Sequence, residues 1–369
     1  MTDDEEIIHA LALSSIPQIG PVQARMLAEH IGSYARVFRT PARLLEEIPG
    51  IGRVRALNIR NFTDFKSCEQ TVSETRRAGI NILPFTSENF PEKLKNCDDP
   101  PLLLFAKGRM NLNPNRVLAV VGTRKPTEQG RQLVDMYLKE IQNAQPLILS
   151  GLAYGIDYQA HRTALNLGLP TVAVLANGLH TIYPGLHAGL AREMMENGGV
   201  LTEFPWGTKP DKQNFPRRNR IVAGMCDALL VVETDVKGGS MITAEIALSY
   251  NRDIFAIPGR LNDSQSRGCN VLIRDNKARL TLSPEDLMEY MNWKDEPVKK
   301  APSAPSLFAE QSDEERIILK QLKEHGTMQI DRLMVLSGLP PHRFHTAILQ
   351  LELQNLCKRL SGNQFTSLI

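Results

Sequence analysis

The 369-residue chain is poor in the features that mark several broad classes of protein. Its five cysteines (Cys68, Cys97, Cys226, Cys269, Cys357) are scattered and form no CxxC pair. An odd, dispersed set excludes a disulfide framework and a cysteine-ligated zinc site, and reads as reduced thiols. No uncharged apolar run approaches the length of a membrane span, and no basic and apolar leader opens the chain, so a soluble cytoplasmic protein is expected. Charge of one sign is not in excess either: the net charge is +2, so any site for a polyanion must be a local patch. GxGxxG, HExxH, GxSxG and a Walker lysine are all missing, which leaves dinucleotide binding and the common hydrolytic constellations without support. His180 with His187, and His342 with His345, lack a third ligand nearby, so no metal and no cofactor is expected. His161 sits among apolar residues on a helical pattern and reads as a satisfied core residue.

What is present is a soluble globular composition, 42% hydrophobic and 23% charged, in a chain long enough for two or three domains. Near the start, Ile16-Pro-Gln-Ile-Gly20 recurs as Ile48-Pro-Gly-Ile-Gly52, each followed by an i, i+4, i+7 apolar pattern. The pair predicts two helix-hairpin-helix units within a helical domain over 1–79. Such hairpins either pack or receive a phosphate on free backbone N–H groups. Gln18 stands where the first copy would carry glycine.

From residue 80 onward, short β-branched runs at 116–123, 147–150, 171–175, 200–202, 228–233 and 253–258 alternate with helical patterns at 129–142, 157–167, 186–197 and 240–251. Continuous apolar strands separated by helices predict an α/β domain over 80–293, a Rossmann-like doubly wound parallel sheet. Its ligands belong at the carboxyl ends of the strands. The runs 80–85 and 102–105 extend or cap the sheet. Residues 294–312, rich in Pro, Ser and charge, read as a linker. Three helical patterns and a small hairpin over 313–369 resemble a winged helix whose charges nearly cancel. Protein contact or stability is expected of it before DNA readout.

The strand ends carry the chemistry. Gly122-Thr123-Arg124 offers a close backbone approach and a forked phosphate donor. Ser150, Gly151 and Gly155 can open an anion nest, with Asp157 placed to cap the helix behind them. Lys237-Gly-Gly239-Ser240 is a third anion-ready turn. Between two predicted strands lies the densest basic run of the chain, Lys209-Pro-Asp-Lys212-Gln-Asn-Phe215-Pro-Arg217-Arg218-Asn219-Arg220. Five cations around one aromatic ring are the ingredients of a groove for single-stranded nucleic acid. A solvated loop is the alternative.

Gly122-Thr-Arg124, Ser150 to Asp157, Tyr183-Pro184, Phe215 to Ala223, Gly239 to Ala244, Pro258-Gly259 and Gly268 to Ile273 occur here in the order found in DNA-processing protein A, the DprA/Smf family, which the chain resembles over about 80–290. The resemblance implies an extended Rossmann domain that binds single-stranded DNA, forms a homodimer and hands strands to the RecA recombinase in natural transformation. By motif it places Arg124, Lys212, Phe215, Arg217, Asn219, Arg220, Gly239 and Ser240 in the DNA pocket; Lys209 and Arg218 join them from the basic run. Two departures stand out: His180 replaces an acid that usually ends its turn, and Gly238 replaces a serine. An alternative of a different class is an enzyme, a nucleotide phosphoribohydrolase on a Rossmann-like sheet, whose PGGxGTxxE loop is similar to Gly238-Gly239 followed by Glu245. Here Met241 and Ile242 replace the Gly-Thr of that loop.

Overall fold

A computed structural model describes residues 3–294 and 312–368, except 355 and 361. Among the described residues nine strands form one sheet: β1 (Asn81–Pro84), β2 (Leu103–Lys107), β3 (Val117–Val121), β4 (Leu147–Ser150), β5 (Thr171–Val174), β6 (Gly198–Thr202), β7 (Ala228–Val231), β8 (Asp253–Ala256) and β9 (Arg279–Leu280). Their order is β1-β2-β6-β5-β4-β3-β7-β8-β9. From β6 across to β9 every neighbouring pair is parallel. The two early runs extend this sheet antiparallel, β2 on β6 and β1 on β2.

Alternation along β3 shows why the sheet is covered twice. Val117, Ala119 and Val121 join one core with Ile221, Ala244 and Leu272, whereas Leu118 and Val120 join another with Tyr137, Ala160 and Leu287. Successive strand side chains point to opposite faces, so both faces need helices. Helices Asn214–Met225, Gly239–Ser249 and Arg267–Arg274 cover the first; Glu128–Glu140, Ile156–Asn166 and Pro284–Tyr290 cover the second. The connectivity reverses between β3 and β7, and that reversal fixes where the ligand crevice opens.

The repeat forms two helical hairpins. Asp3–Ser15 meets Pro21–Ile31 around the first turn, and Ala42–Glu46 meets Gly52–Arg60 around the second. Gln18 takes the left-handed conformation (φ 66°) that Gly50 (φ 77°) takes in the other copy. Arg55 ties the turns together, donating to the Gln18 carbonyl at 2.9 Å and the Gly50 carbonyl at 2.7 Å. This helical core is continuous with Leu103 and Phe105 of β2, so the hairpins rest on the antiparallel edge of the sheet.

Three of the sheet-covering helices, 214–225, 267–274 and 284–290, were absent from the sequence expectations, as was β9. Farther on, helices Asp313–His325, Ile330–Ser337 and Pro341–Leu353 pack with β10 (Met328–Gln329), β11 (Cys357–Leu360) and β12 (Gln364–Ser367) in the order β10-β12-β11. That is the expected winged helix. The Gln329 amide donates to the Asn96 carbonyl at 2.7 Å, a contact with the sheet domain. All but the end residues of the segment expected as a linker lie outside the described residues.

Candidate nucleic-acid interface

A cleft of about 350 Å³ opens at the carboxyl ends of β3 and β7, at the reversal of connectivity. The three turns singled out from the sequence meet here: Gly122 to Arg124, Gly151, and Gly239-Ser240 all line it, opposite Phe215, Arg218 and Asn219.

Backbone closure builds the first wall. The Thr123 N–H donates to the Glu233 carbonyl at 2.7 Å, and the Ile156 N–H donates to the Thr123 carbonyl at 3.2 Å. Gly155 (φ 83°) sits so close that a Cβ there would lie 2.3 Å from the Thr123 carbonyl oxygen. Glu233, buried, accepts from the Thr127 N–H at 2.9 Å and the Thr127 hydroxyl at 2.5 Å. It thereby locks the turn that presents Arg124. That exposed guanidinium lies 5.4 Å from the centroid of the half-buried Phe215 ring, whose centroid is 6.4 Å from that of Tyr183.

The floor is a buried arginine with a buried acid nearby. Arg218 donates to the Val174 carbonyl and, through Nε, to Asn219 Oδ1 at 3.1 Å, with Asp157 as its charge partner. Burial raises the Asp157 carboxyl above the usual carboxylate range, while Arg218 and the Ala153 N–H oppose that rise. Burial likewise pulls Arg218 down, and Asp157 opposes it. A Cβ on Gly151 would lie 2.4 Å from Arg218 Nη1 and 2.5 Å from Asp157 Oδ2, so only glycine fits over the pair.

The third wall is the first turn of helix 239–249. First-turn N–H groups have no acceptor within their own helix, and the dipole end is positive. Ser240 is buried and donates to the Thr234 hydroxyl at 2.7 Å, whereas a side chain at Gly239 would meet nothing within 4 Å. Anions of modest size can therefore reach the backbone here.

Several expected residues are placed differently from the sequence reading. The basic run is helical from Asn214 onward, with Pro216 in the first turn, where its missing N–H costs nothing. Arg220 is buried and held by Glu203 at 2.5 Å and by the Asp99 carbonyl, so it does not line the cleft. Arg217 points to the other side, 3.6 Å from Glu203 and 5.0 Å from the Phe204 ring centroid. Lys209 and Lys212 are exposed in the preceding loop, outside the cleft lining. Ser150 is buried with its hydroxyl donating to the Val120 carbonyl at 2.6 Å, so the nest at that turn reduces to its glycines.

Other residues went unnoticed in the sequence: Glu233 and Glu203 as anchors, and Thr234, Thr243 and Gln265 in the lining. Asp157, expected as a helix cap, lies instead within the first turn of helix 156–166, whose N-cap is Gly155, and accepts the Ala153 N–H at 3.3 Å. His180 restores the bond its replacement of an acid put in question, since its Nδ1 accepts the Gly207 N–H at 3.2 Å. His161 is the core residue expected. Its Nε2 donates to the Gly151 carbonyl at 2.6 Å, its Nδ1 faces the Thr171 hydroxyl at 2.7 Å, and burial lowers its pKa to about 4. Glu245, the acid of the hydrolase-like loop, is exposed and pairs with Lys277 at 3.5 Å away from the cleft lining. Among the described residues no cluster of three metal-ligating side chains exists, and no helix is long and apolar enough to cross a membrane.

Sheet, reversal point and an arginine-flanked cleft define a Rossmann-like protein with an anion-ready crevice. Within that class, the chain belongs to the DprA/Smf family: the model for DNA recombination-mediator protein A matches residues 81–292. The DprA winged helix domain matches 299–363, and a SAM-like helix-hairpin-helix tandem matches 10–62. DNA processing protein DprA of Bacillus subtilis is 38% identical over 242 residues, covering 65% of this chain and 81% of that protein. Protein Smf of Escherichia coli is 34% identical over 300 residues, 80% of each. The X-ray structure of DprA from Streptococcus pneumoniae superposes with a TM-score of 0.64 at 31% identity, over 78% of this chain and 98% of that one. A Helicobacter pylori DprA structure, described as revealing a single-stranded DNA binding mode, gives a TM-score of 0.53 at 29% identity, over 58% and 95%.

Proposed function

We propose that this protein binds single-stranded DNA in the switch-point cleft and acts by binding, not by catalysis, in processing DNA for recombination. The observation that carries the reading is the Arg124–Phe215 pair above a helix N-terminus: a phosphate donor and a stacking ring 5.4 Å apart. A flexible strand can turn one phosphate and one base independently onto these two groups, which a duplex cannot. Arg124, Phe215, Asn219, Gly239 and Ser240 make the direct contacts, with Gly122, Thr123, Gly151 and Gly155 shaping the anion nest. Lys209, Lys212 and Arg217 attract the flanking phosphates. Arg218 and Arg220, both buried, hold the helix that carries Phe215. The single-strand binding named for the H. pylori relative supports the choice of single-stranded DNA as ligand.

The cellular setting we propose is the family's: a cytoplasmic homodimer that protects incoming strands in natural transformation and hands them to RecA recombinase. Its domains divide at 1–79, 80–293 and 313–369. Titration of labelled single- and double-stranded oligonucleotides of equal length tests the reading. Tighter single-strand binding that weakens with rising salt is expected; equal affinity for duplex, or no salt dependence, refutes it.

A further inference from the structure

A second cavity, about 640 Å³, lies between the first helical hairpin and the antiparallel edge of the sheet. Its size is that of a small-ligand site. The floor is apolar, made by Leu11, Ile19 and Phe204 with Pro21 and Pro101. Ser14, Ser15, Thr208 and Asn214 give it a polar rim.

Glu203 is its unusual member. The carboxylate is only 4% exposed, and its Oε2 takes Arg220 at 2.5 Å and Arg217 at 3.6 Å. Its Oε1 is buried with no hydrogen-bond partner among the described residues. A buried acceptor without a donor is costly, and a ligand N–H would relieve that cost. Beside it, Arg217 is 57% exposed and rests over the Phe204 ring, with its guanidinium fork available to a phosphate.

The two cavities share helix 214–225. Phe215, Arg218 and Asn219 line the switch-point cleft, while Asn214 and Arg217, one turn apart, line the second cavity. We infer that the second cavity is a further nucleotide subsite, taking the next part of the same single strand as it crosses the first turn of this helix. The base lies on the Leu11, Ile19 and Phe204 floor, an N–H of the base donates to Glu203 Oε1, and its phosphate faces Arg217. Every natural base carries such an N–H, so the subsite adds affinity without reading sequence. The inference rests on the proposed single-strand binding at the first cleft.

The test uses the full chain and fluorescence anisotropy with oligothymidylates lengthened stepwise from about 3 to about 12 nucleotides. Affinity should rise in two steps. Ser14→Trp fills the second cavity from an exposed helix position and should remove the second step, a loss of about tenfold for long oligonucleotides, with short ones bound as before. Arg217→Ala should lower the long-oligonucleotide affinity and its salt slope together. A single abasic position moved along a long strand should find two sensitive places on the native protein, and this needs no variant to fold. One sensitive place, or a second step that survives both substitutions, overturns the subsite and leaves the first cleft standing. No binding at any length would remove the first cleft and the subsite with it.

Discussion

Phe215 and Arg124 separate the two forces proposed to hold a single strand, and their alanine variants should fail in different ways. The Phe215 ring is half-buried and belongs to none of the hydrophobic clusters that hold the sheet and its helices together. Its removal costs the folded protein little beyond the contact with Arg124, about 0.5–1 kcal/mol for an exposed cation–π pair. Bound DNA loses a stacking platform instead, about 1–3 kcal/mol, or roughly 5- to 150-fold in Kd. Stacking releases no counterions, so the salt dependence of binding should stay unchanged. Arg124→Ala removes a phosphate partner, so the slope of log K against log salt should become shallower by about 0.7 for a single strand. Because the guanidinium lies 5.4 Å from the ring centroid, the effects should couple, and the double variant should lose less than the sum. Anisotropy titrations at four salt concentrations, beside thermal melts, measure all of this. A Phe215→Ala variant whose lost affinity merely tracked a large fall in Tm would make Phe215 a core residue and refute the assignment.

Gly151→Ala should reduce single-strand affinity more than tenfold and destabilise by about 1–3 kcal/mol, since its Cβ would fall 2.4 Å from Arg218 Nη1; titration and melting check the two parts. His161, with its pKa lowered to about 4 in the folded state against about 6.5 unfolded, is bound by more protons in the unfolded chain between those values. Its contribution is therefore full above about pH 6.5 and lost as pH falls towards 4, by at most about 3 kcal/mol; denaturant melts across that range should show the fall, and His161→Gln should flatten it. Deleting 313–369 should leave single-strand affinity nearly unaltered under one salt condition, because the contact through Gln329 and Asn96 lies outside the cleft lining.

The sheet was legible because its strands are buried on both faces and so read as unbroken apolar runs. Val117 to Val121 and Ala228 to Val231 are buried throughout, and that pattern survives without knowledge of partners. The hairpins were legible through repetition, even with Gln18 in the place of a glycine. Helix 214–225 was hidden for the opposite reason. Its inward face carries Arg218 and Arg220 beside Ile221, Val222 and Met225, so the period that marks a helix is broken by charges that belong to the interior. Helices 267–274 and 284–290 are short, and short helices give too few turns for a period to show.

The same two arginines explain why the site was only half legible. A charge in a sequence reads as solvent-facing, since unpaired burial would be prohibitive, and only the fold reveals a partner that makes burial tolerable. Asp157 lies sixty-one residues before Arg218, and Glu203 seventeen before Arg220, separations no local pattern records. Once these pairs are formed, the densest basic run of the chain has two of its five cations anchoring its own helix. Removing Glu203 would strip the buried Arg220 of its nearest carboxylate, with Asp99 at 3.8 Å remaining, a loss typically larger than that of an exposed contact. The helix that presents Phe215 is thus fixed by charge on its inner side, while the exposed Arg124, Lys209 and Lys212, and Arg217 beside Glu203, remain on the surface where a phosphate can reach them.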